Sequence, residues 1–158
     1  MGKLLENKQM KTYLTLLFSF FIIIASAQQI DYNTKKSFVA EGYDVTEYFN
    51  NKAIKGDSKI TATHDNVKYA FATQDNLNKF KSNPDKFIPQ YGGYCAYAVA
   101  VNNDKVDINP KTFEIRDSKL YLFYNSWGVN TLEKWSAENP KQLQAKADAN
   151  WQGIKIKK

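Results

Sequence analysis

Two short apolar segments joined by a two-residue turn constrain the fold of this chain more than any other feature. Residues 60–64 and 67–71 are rich in β-branched and aromatic residues and flank Asp65-Asn66. Aspartate and asparagine tolerate the left-handed backbone of a two-residue hairpin turn, so the pattern predicts an antiparallel β-hairpin. The expected cross-strand pairs are His64 with Val67, Ala62 with Tyr69, and Ile60 with Phe71.

Helix signals and a second hairpin follow the first one. Thr73 is a typical N-cap for a helix over residues 74–82, with Leu77 and Phe80 facing the core. A second hairpin is predicted around Asp117-Ser118. Two closing helices are expected, one over 129–137 with Val129, Leu132 and Trp135 inward, and one from Asn139-Pro140 with Leu143, Ala147 and Trp151 inward. These elements predict a small single α+β domain of short antiparallel β-hairpins packed against several short helices.

The segment at residues 91–99 contains the only cysteine of the chain, three tyrosines and a glycine pair. The glycines allow a tight corner or a close backbone approach. A helix read from Gly93 onward has one apolar face, formed by Tyr94, Tyr97, Ala98 and Val101. We therefore expect a glycine turn that leads into a helix, with tyrosines clustered beside the turn.

Cys95 admits two interpretations. A thiol near a helix start ionises readily and would suit a metal ligand or a redox group. A free cysteine more often behaves as a small buried hydrophobe. The second interpretation is favoured, because the chain has no other cysteine to complete a redox pair or a soft metal site.

The first 27 residues have the features of a secretory signal peptide. Three lysines precede an apolar run over residues 13–24, and Ala25-Ser26-Ala27 has the small-residue pattern of a cleavage site. The apolar run is too short to span a bilayer comfortably. We expect cleavage after Ala27 and export to the periplasm or the outside, which leaves 131 of the 158 residues and no transmembrane segment.

The exported chain is expected to have a flexible lead-in (28–37), one domain (38–152) and a basic tail (153–158). Cleavage removes three lysines and one glutamate, which lowers the formal net charge from +6 to +4. Arg116 is the only arginine, so no guanidinium cluster exists to grip phosphate, and nucleic-acid binding is not expected. Both methionines fall in the signal peptide, which removes the thioether ligands that suit copper.

Several short motifs occur together over residues 38–151. The central pieces are His64-Asp65-Asn66-Val67-Lys68-Tyr69-Ala70-Phe71-Ala72-Thr73, Phe80 and Asn83-Pro84-Asp85-Lys86-Phe87. The flanking pieces are Gly42-Tyr43-Asp44, Tyr48-Phe49 and Pro89-Gln90-Tyr91-Gly92-Gly93-Tyr94-Cys95-Ala96. In this combination the chain resembles the YHS domain family, and the flanking pieces are similar to its exported, cysteine-poor branch.

The resemblance implies metal chemistry only in part. Family members that handle heavy metals carry cysteines before the hairpin and after the Tyr-x-Phe strand, whereas this chain has Ala72 and Asn76 at the later positions. A zinc site takes about four ligands, usually cysteine and histidine. Cys95 and His64 could bind Cu(I) between them, or a copper or zinc ion in a site completed by a carboxylate such as Asp44 or Asp65.

These residues favour a non-enzymatic exported module that binds a small ligand or a protein partner. The candidate residues for an apolar or planar ligand are Tyr91, Tyr94, Tyr97, Tyr69 and Tyr43. The alternative is copper or zinc binding through Cys95 with His64. An enzyme is not expected, because a single histidine gives little general-base capacity and the chain has no phosphate loop or Ser-His-Asp pattern.

Overall fold

The computed structural model describes residues 29–157, and the predicted signal peptide at residues 1–27 lies outside the described residues. Four α-helices and several short antiparallel strand pairs make up the described part of the chain, which confirms the predicted small α+β domain. Within residues 29–157, no helix combines the length and the apolar character needed to cross a lipid bilayer.

The strands form one four-stranded sheet in the order β1-β2-β4-β3 and two separate hairpins, β5-β6 and β7-β8. Their bounds are β1 Thr34–Lys35, β2 Phe38–Val39, β3 Asp57–His64, β4 Val67–Phe71, β5 Asn109–Arg116, β6 Lys119–Phe123, β7 Asn125–Ser126 and β8 Val129–Asn130. The helices are α1 Gln74–Ser82, α2 Ala96–Asn102, α3 Thr131–Ala137 and α4 Pro140–Ile154. Short 3-10 turns lie at Ala40–Gly42, Glu47–Asn50, Pro84–Lys86 and Gln90–Gly93.

The first predicted hairpin is present as β3 and β4, with Asp65 and Asn66 in the left-handed turn at φ 49° and 63°. Two of the three expected pairs are present, His64 with Val67 and Ala62 with Tyr69. The expected pairing of Ile60 with Phe71 is wrong, because an irregularity within β3 shifts the register and Phe71 pairs with Asp57. Alternation along a strand does not reveal such a bulge.

Two groups of buried side chains form the core. The larger group lies between the four-stranded sheet, α1 and β6, and it includes Tyr48, Tyr69, Phe71, Phe80, Leu120 and Leu122. The smaller group joins α2, α3, α4 and β6, and it includes Val99, Tyr121, Phe123, Trp135, Leu143 and Ala147. Successive residues of β6 point to opposite sides, so this strand contributes to both groups and is covered on both faces.

Helix α1 matches its prediction, because Thr73 Oγ1 accepts a hydrogen bond from Asn76 N at 3.1 Å and both Leu77 and Phe80 are buried. The closing helix α4 also begins as expected, at a cap formed by the Asn139 side chain. Both caps satisfy backbone N–H groups that a helix start leaves free. Local sequence signals are therefore sufficient for these two helices.

Helix α3 begins two residues later than predicted. Asn130 is its N-cap and accepts a hydrogen bond from Leu132 N at 3.1 Å. Val129 was expected to face inward and is instead 39% exposed, because it pairs with Ser126 in the β7–β8 hairpin. Trp135 has no exposed surface, as predicted.

Helix α2 begins at Ala96, not at Gly93, because the backbone of residues 91–93 is left-handed and cannot continue into an α-helix. Val101 was expected on the apolar face and is 50% exposed. The buried face runs instead through Ala96 and Val99 and packs in the smaller core group with α4. Because the helix begins three residues later than predicted, the residues on its buried face differ from those that the spacing predicts.

The two ends of the described chain are paired with each other. Ile30 forms an antiparallel bridge with Ile156, and backbone hydrogen bonds flank this bridge. Tyr32 is buried in the larger core group. The predicted lead-in (28–37) contains β1 and the predicted basic tail (153–158) contains the bridged Ile156, so both segments pair with other parts of the described chain.

A buried carboxylate joins three elements. Asp44 has no exposed surface and follows the Ala40–Gly42 turn. Its oxygens accept hydrogen bonds from Thr46 N at 2.9 Å, Thr46 Oγ1 at 2.8 Å, Ala72 N at 2.7 Å and Asn76 Nδ2 at 2.8 Å. Asp44 therefore ties this turn to the end of β4 and to α1. Its hydrogen bonds are made within the fold, which leaves no support for its use as a metal ligand.

Candidate ligand-binding cleft

A cleft opens between the Gln90–Gly93 turn, helix α4 and the N-terminal segment. Its volume is about 230 Å³, and three aromatic side chains, Tyr32, Tyr91 and Trp151, stand in its wall. The remaining lining is partly apolar and partly polar, from Ile30, Ile88, Pro89, Gln90, Gly92, Asp148 and Gln152. Small-molecule sites commonly combine aromatic walls with a few polar groups, so we call this the aromatic cleft and treat it as the candidate site.

The glycine turn brings the walls of the aromatic cleft together. Tyr91, Gly92 and Gly93 have left-handed backbone, with φ of 54°, 61° and 81°. A Cβ on Gly92 would lie 2.5 Å from Asp31 O and 3.2 Å from the ring of Trp151. Only glycine allows the N-terminal segment and helix α4 to approach the turn this closely.

Asp148 gives the aromatic cleft its charge. Tyr91 Oη donates a hydrogen bond to Asp148 Oδ1 at 2.9 Å. Burial, followed by this hydrogen bond, raises the pKa of Tyr91 above its ordinary value, so the phenol stays protonated into the alkaline range. Among the described residues that line the cleft, Asp148 is the only charged one. The cleft therefore favours a ligand that carries a positive charge or a hydrogen-bond donor.

A lysine occupies an aromatic corner next to the aromatic cleft. Lys105 Nζ lies 5.8 Å from the ring centroids of both Tyr94 and Trp151. It also lies 2.9 Å from Asp31 Oδ2, which accepts a hydrogen bond from Tyr94 Oη at 3.2 Å. Burial and the nearby Asp31 raise the pKa of Tyr94 to about 12. The hydroxyl and ring of Tyr94 thus contact Asp31 and Lys105, and the ring also lies beside Trp151, which lines the cleft.

The other three candidate tyrosines lie elsewhere. Tyr97 donates a hydrogen bond to Glu138 at 2.7 Å on the surface. Tyr69 is 1% exposed in the larger core group. Tyr43 lies under the ammonium group of Lys55, which is 4.9 Å from its ring centroid, and lines a separate cleft. The five tyrosines predicted from the sequence therefore do not form one site, and Tyr91 is the one that lines the aromatic cleft.

Three residues of the aromatic cleft are not among the ligand-binding candidates that the sequence predicts. Tyr32 fell in the segment assigned as a flexible lead-in, and Trp151 was assigned to the core. Asp148 was not singled out at all. Asp148 and Trp151 are three residues apart on α4 and so share one helix face, which is the signal that could have joined them. Nothing local to Tyr32 indicates its position.

Cys95 has no exposed surface. Its Sγ lies 3.3 Å from Thr131 Oγ1, and Thr131 Oγ1 donates its own hydrogen to Tyr124 O at 2.8 Å. A hydroxyl has a single hydrogen, so the thiol of Cys95 is the donor to Thr131. The interpretation of Cys95 as a small buried side chain is confirmed.

His64 lies at the hairpin turn, with 29% of its side chain exposed. Its Nε2 is 3.7 Å from Asp65 Oδ1 and 3.8 Å from Asp85 Oδ1, and its ring meets Phe80 edge-on. These neighbours differ from those of Cys95. Within residues 29–157, no three His, Cys, Asp or Glu side chains are grouped so as to hold a metal ion. A joint copper or zinc site of Cys95 and His64 therefore stays a prediction without structural support.

Gly92→Ala is expected to lower the free energy of unfolding by about 3 kcal/mol, because the new Cβ meets backbone and the left-handed conformation disfavours alanine. The matched control is Gly153→Ala on α4, where a Cβ meets nothing within 4 Å. Alanine favours helix, so the control should raise the free energy of unfolding by about 0.5 kcal/mol. Urea unfolding followed by circular dichroism measures both. Similar small effects at the two positions would contradict the close approach at Gly92.

Comparisons of the chain with protein-family models, with curated proteins and with solved structures found no match. The resemblance to the YHS domain family accordingly stays a prediction. Function has to be inferred from the residues of the chain and their geometry.

Proposed function

We propose that the chain is an exported, non-enzymatic binding module of the YHS type, which holds a small planar molecule in the aromatic cleft. The observation that carries the proposal is the convergence of Tyr32, Tyr91 and Trp151 with the Asp148 carboxylate on one cleft. Trp151 is the partly exposed ring of the three and can stack on a planar group, while Tyr32 and Tyr91, at 8% and 4% exposed, border the cleft with their edges. A lone carboxylate selects a cation or a hydrogen-bond donor. The expected ligand class is therefore a small aromatic amine, amidine or similar planar cation.

The size of the aromatic cleft limits the ligand. Its volume of about 230 Å³ lies below the range of about 300–1,000 Å³ that is usual for drug-sized ligands. One or two fused rings fill such a space. The turn that forms the wall is fixed by Gly92, so little ordering is needed on binding, which favours affinity for a small ligand.

Two features favour binding over catalysis. The described lining of the aromatic cleft includes no histidine, cysteine, serine or lysine, and its two groups that could carry a proton, Asp148 and Tyr91, are hydrogen-bonded to each other. The phenol of Tyr91 has a raised pKa and is hydrogen-bonded to Asp148, so it supplies neither a tyrosinate nor a free acid. The signal-peptide pattern before residue 28 supports export.

The test is a calorimetric titration of the protein with small planar amines and amidines, using Asp148→Asn as the decisive variant. Asparagine keeps the shape of the side chain and removes its charge, so cationic ligands should bind about tenfold more weakly. The matched control is Asp104→Asn, which removes an exposed carboxylate that lines a different cleft and should leave binding unchanged. The proposal is wrong if no planar cation binds, or if both variants bind as the unchanged protein does.

The metal alternative is tested in parallel with Cu(I) and Zn(II). Stoichiometric binding that disappears in Cys95→Ser and weakens in His64→Ala would favour metal handling over the aromatic cleft. Because Cys95 has no exposed surface, we expect neither ion to bind above background.

A further inference from the structure

Trp127 is the most exposed large apolar side chain in the described part of the chain, at 94%. It stands at the tip of the β7–β8 hairpin, where Val129 is also 39% exposed. Tryptophan gains more than most residues from burial, and it is seldom found fully in water. Packing within the domain therefore does not account for this residue.

The backbone at Trp127 is also unfavourable for its side chain. Trp127 and Gly128 form the two-residue loop between Ser126 and Val129, with φ of 52° and 75°. A turn of this kind favours Asn-Gly, since a left-handed backbone disfavours a bulky residue. Trp127 thus stabilises neither the turn nor the core, and its indole is free for a contact outside the molecule.

Positive charge lies beside the hairpin. A cleft along β7 is lined by Lys35, Lys55 and Lys111. Glu41 is the only carboxylate among the described residues of this lining, and it pairs with Lys35 at 2.9 Å. Glu41 raises the pKa of Lys35, and Asp107 also lies close enough to Lys35 to add to the rise. Three lysines against these two carboxylates leave a small net positive charge next to the strand that leads to Trp127, which complements an anionic partner.

We propose that the β7–β8 hairpin docks on an anionic phospholipid surface, with the Trp127 ring among the lipid headgroups and Lys111 facing the phosphates. An indole suits this interface because its ring is apolar while its N–H can stay hydrated. Lysines beside it add an attraction to anionic lipid that salt weakens.

The shape of the tip favours a membrane over a protein partner. Stable protein interfaces bury about 800 Å² on each side and need a broad face. The β7–β8 hairpin has two residues in each strand and carries its apolar surface at the projecting end. A small projecting tip with a tryptophan, next to a strand lined by lysines, suits the headgroup region of a bilayer.

Vesicle sedimentation of the full chain tests the proposal. Each variant is prepared with the same N-terminus as the unchanged protein, so that the two differ only at the substituted residue. We expect binding to vesicles of phosphatidylcholine mixed with phosphatidylglycerol, a blue shift of the indole emission, and binding that is about tenfold weaker in Trp127→Asn. Asparagine suits the turn, so the same variant should raise Tm by about 3 °C, which separates lost docking from misfolding.

Two further variants sharpen the test. Val101→Ser removes another exposed apolar side chain, on α2, and should leave vesicle binding unchanged. Lys111→Glu should weaken binding about tenfold at low salt and much less at high salt. Equal binding of the unchanged protein and Trp127→Asn overturns the proposal, and so does equal binding to pure phosphatidylcholine. Self-association that disappears in Trp127→Asn, without vesicle binding, also overturns it and identifies a second copy as the partner.

Discussion

Asp44→Ala should lower the free energy of unfolding by about 4 kcal/mol, the largest effect of any single substitution considered for this chain. The buried carboxylate of Asp44 accepts hydrogen bonds from Thr46, Ala72 and Asn76, at 2.7 to 2.9 Å. Alanine removes the acceptor shared by these donors, and the buried N–H and hydroxyl of Thr46 cannot regain a hydrogen bond from water. Asn76 Nδ2 keeps its second hydrogen bond, to Glu47 Oε1 at 2.7 Å. Chemical unfolding followed by tryptophan fluorescence measures the loss.

The matched control is Asp57→Ala. Asp57 also accepts a backbone hydrogen bond, from Lys59 N at 2.8 Å, but it lies on the exposed edge of the sheet. Water replaces that hydrogen bond in the variant, so the change should stay within about 1 kcal/mol. A loss of the same size at the two positions would mean that Asp44 does not tie the three elements together.

Alkaline pH should unfold the domain. Burial raises the pKa values of Tyr48, Tyr69 and Tyr91 well above that of an exposed phenol, and the hydrogen bond to Asp148 adds to the rise for Tyr91. The unfolded chain releases these protons near pH 10 while the folded chain keeps them, so their contribution is complete below pH 10 and is lost as the pH rises. At about pH 11, the free energy of unfolding is therefore lower by about 1.4 kcal/mol for each tyrosine and by about 4 kcal/mol for the three together.

The measurement is urea unfolding at a series of pH values from neutral to alkaline. Tyr69→Phe is the matched variant, because the Tyr69 hydroxyl is buried without a hydrogen-bond partner within residues 29–157. It should not lower stability at neutral pH, and it should remove about 1.4 kcal/mol of the alkaline loss. A stability that stays constant across the phenol titration would contradict the burial of these hydroxyls.

The parts of the fold that were predicted correctly depend on neighbours in the sequence. The Asp65-Asn66 turn and the Thr73 cap are set by the residues that form them, and both are found where expected. The start of α2 was missed because the left-handed backbone at residues 91–93 depends on the approach of the N-terminal segment. The pairing of Ile30 with Ile156 joins the two ends of the described chain and has no local signal.

The candidate site was predicted only in part, for the same reason. Tyr91 was named from the glycine turn, and it lines the aromatic cleft. Tyr32, Asp148 and Trp151 come from opposite ends of the chain and meet at that turn only in the folded state. Tyr43, Tyr69 and Tyr97 matched the composition of a binding site but lie in other surroundings, because an aromatic residue near a motif can equally serve the core or the surface.

The three tryptophans allow the most direct test of the aromatic cleft, because each indole N–H gives its own signal in a ¹⁵N-correlated NMR spectrum. Trp151 lines the cleft, Trp135 is buried with its Nε1 donating to Glu114 at 2.9 Å, and Trp127 stands at the exposed hairpin tip. Titration with a planar cation should shift the Trp151 signal and leave those of Trp135 and Trp127 in place. A shift confined to Trp127, or none at saturating ligand, would contradict binding in the aromatic cleft.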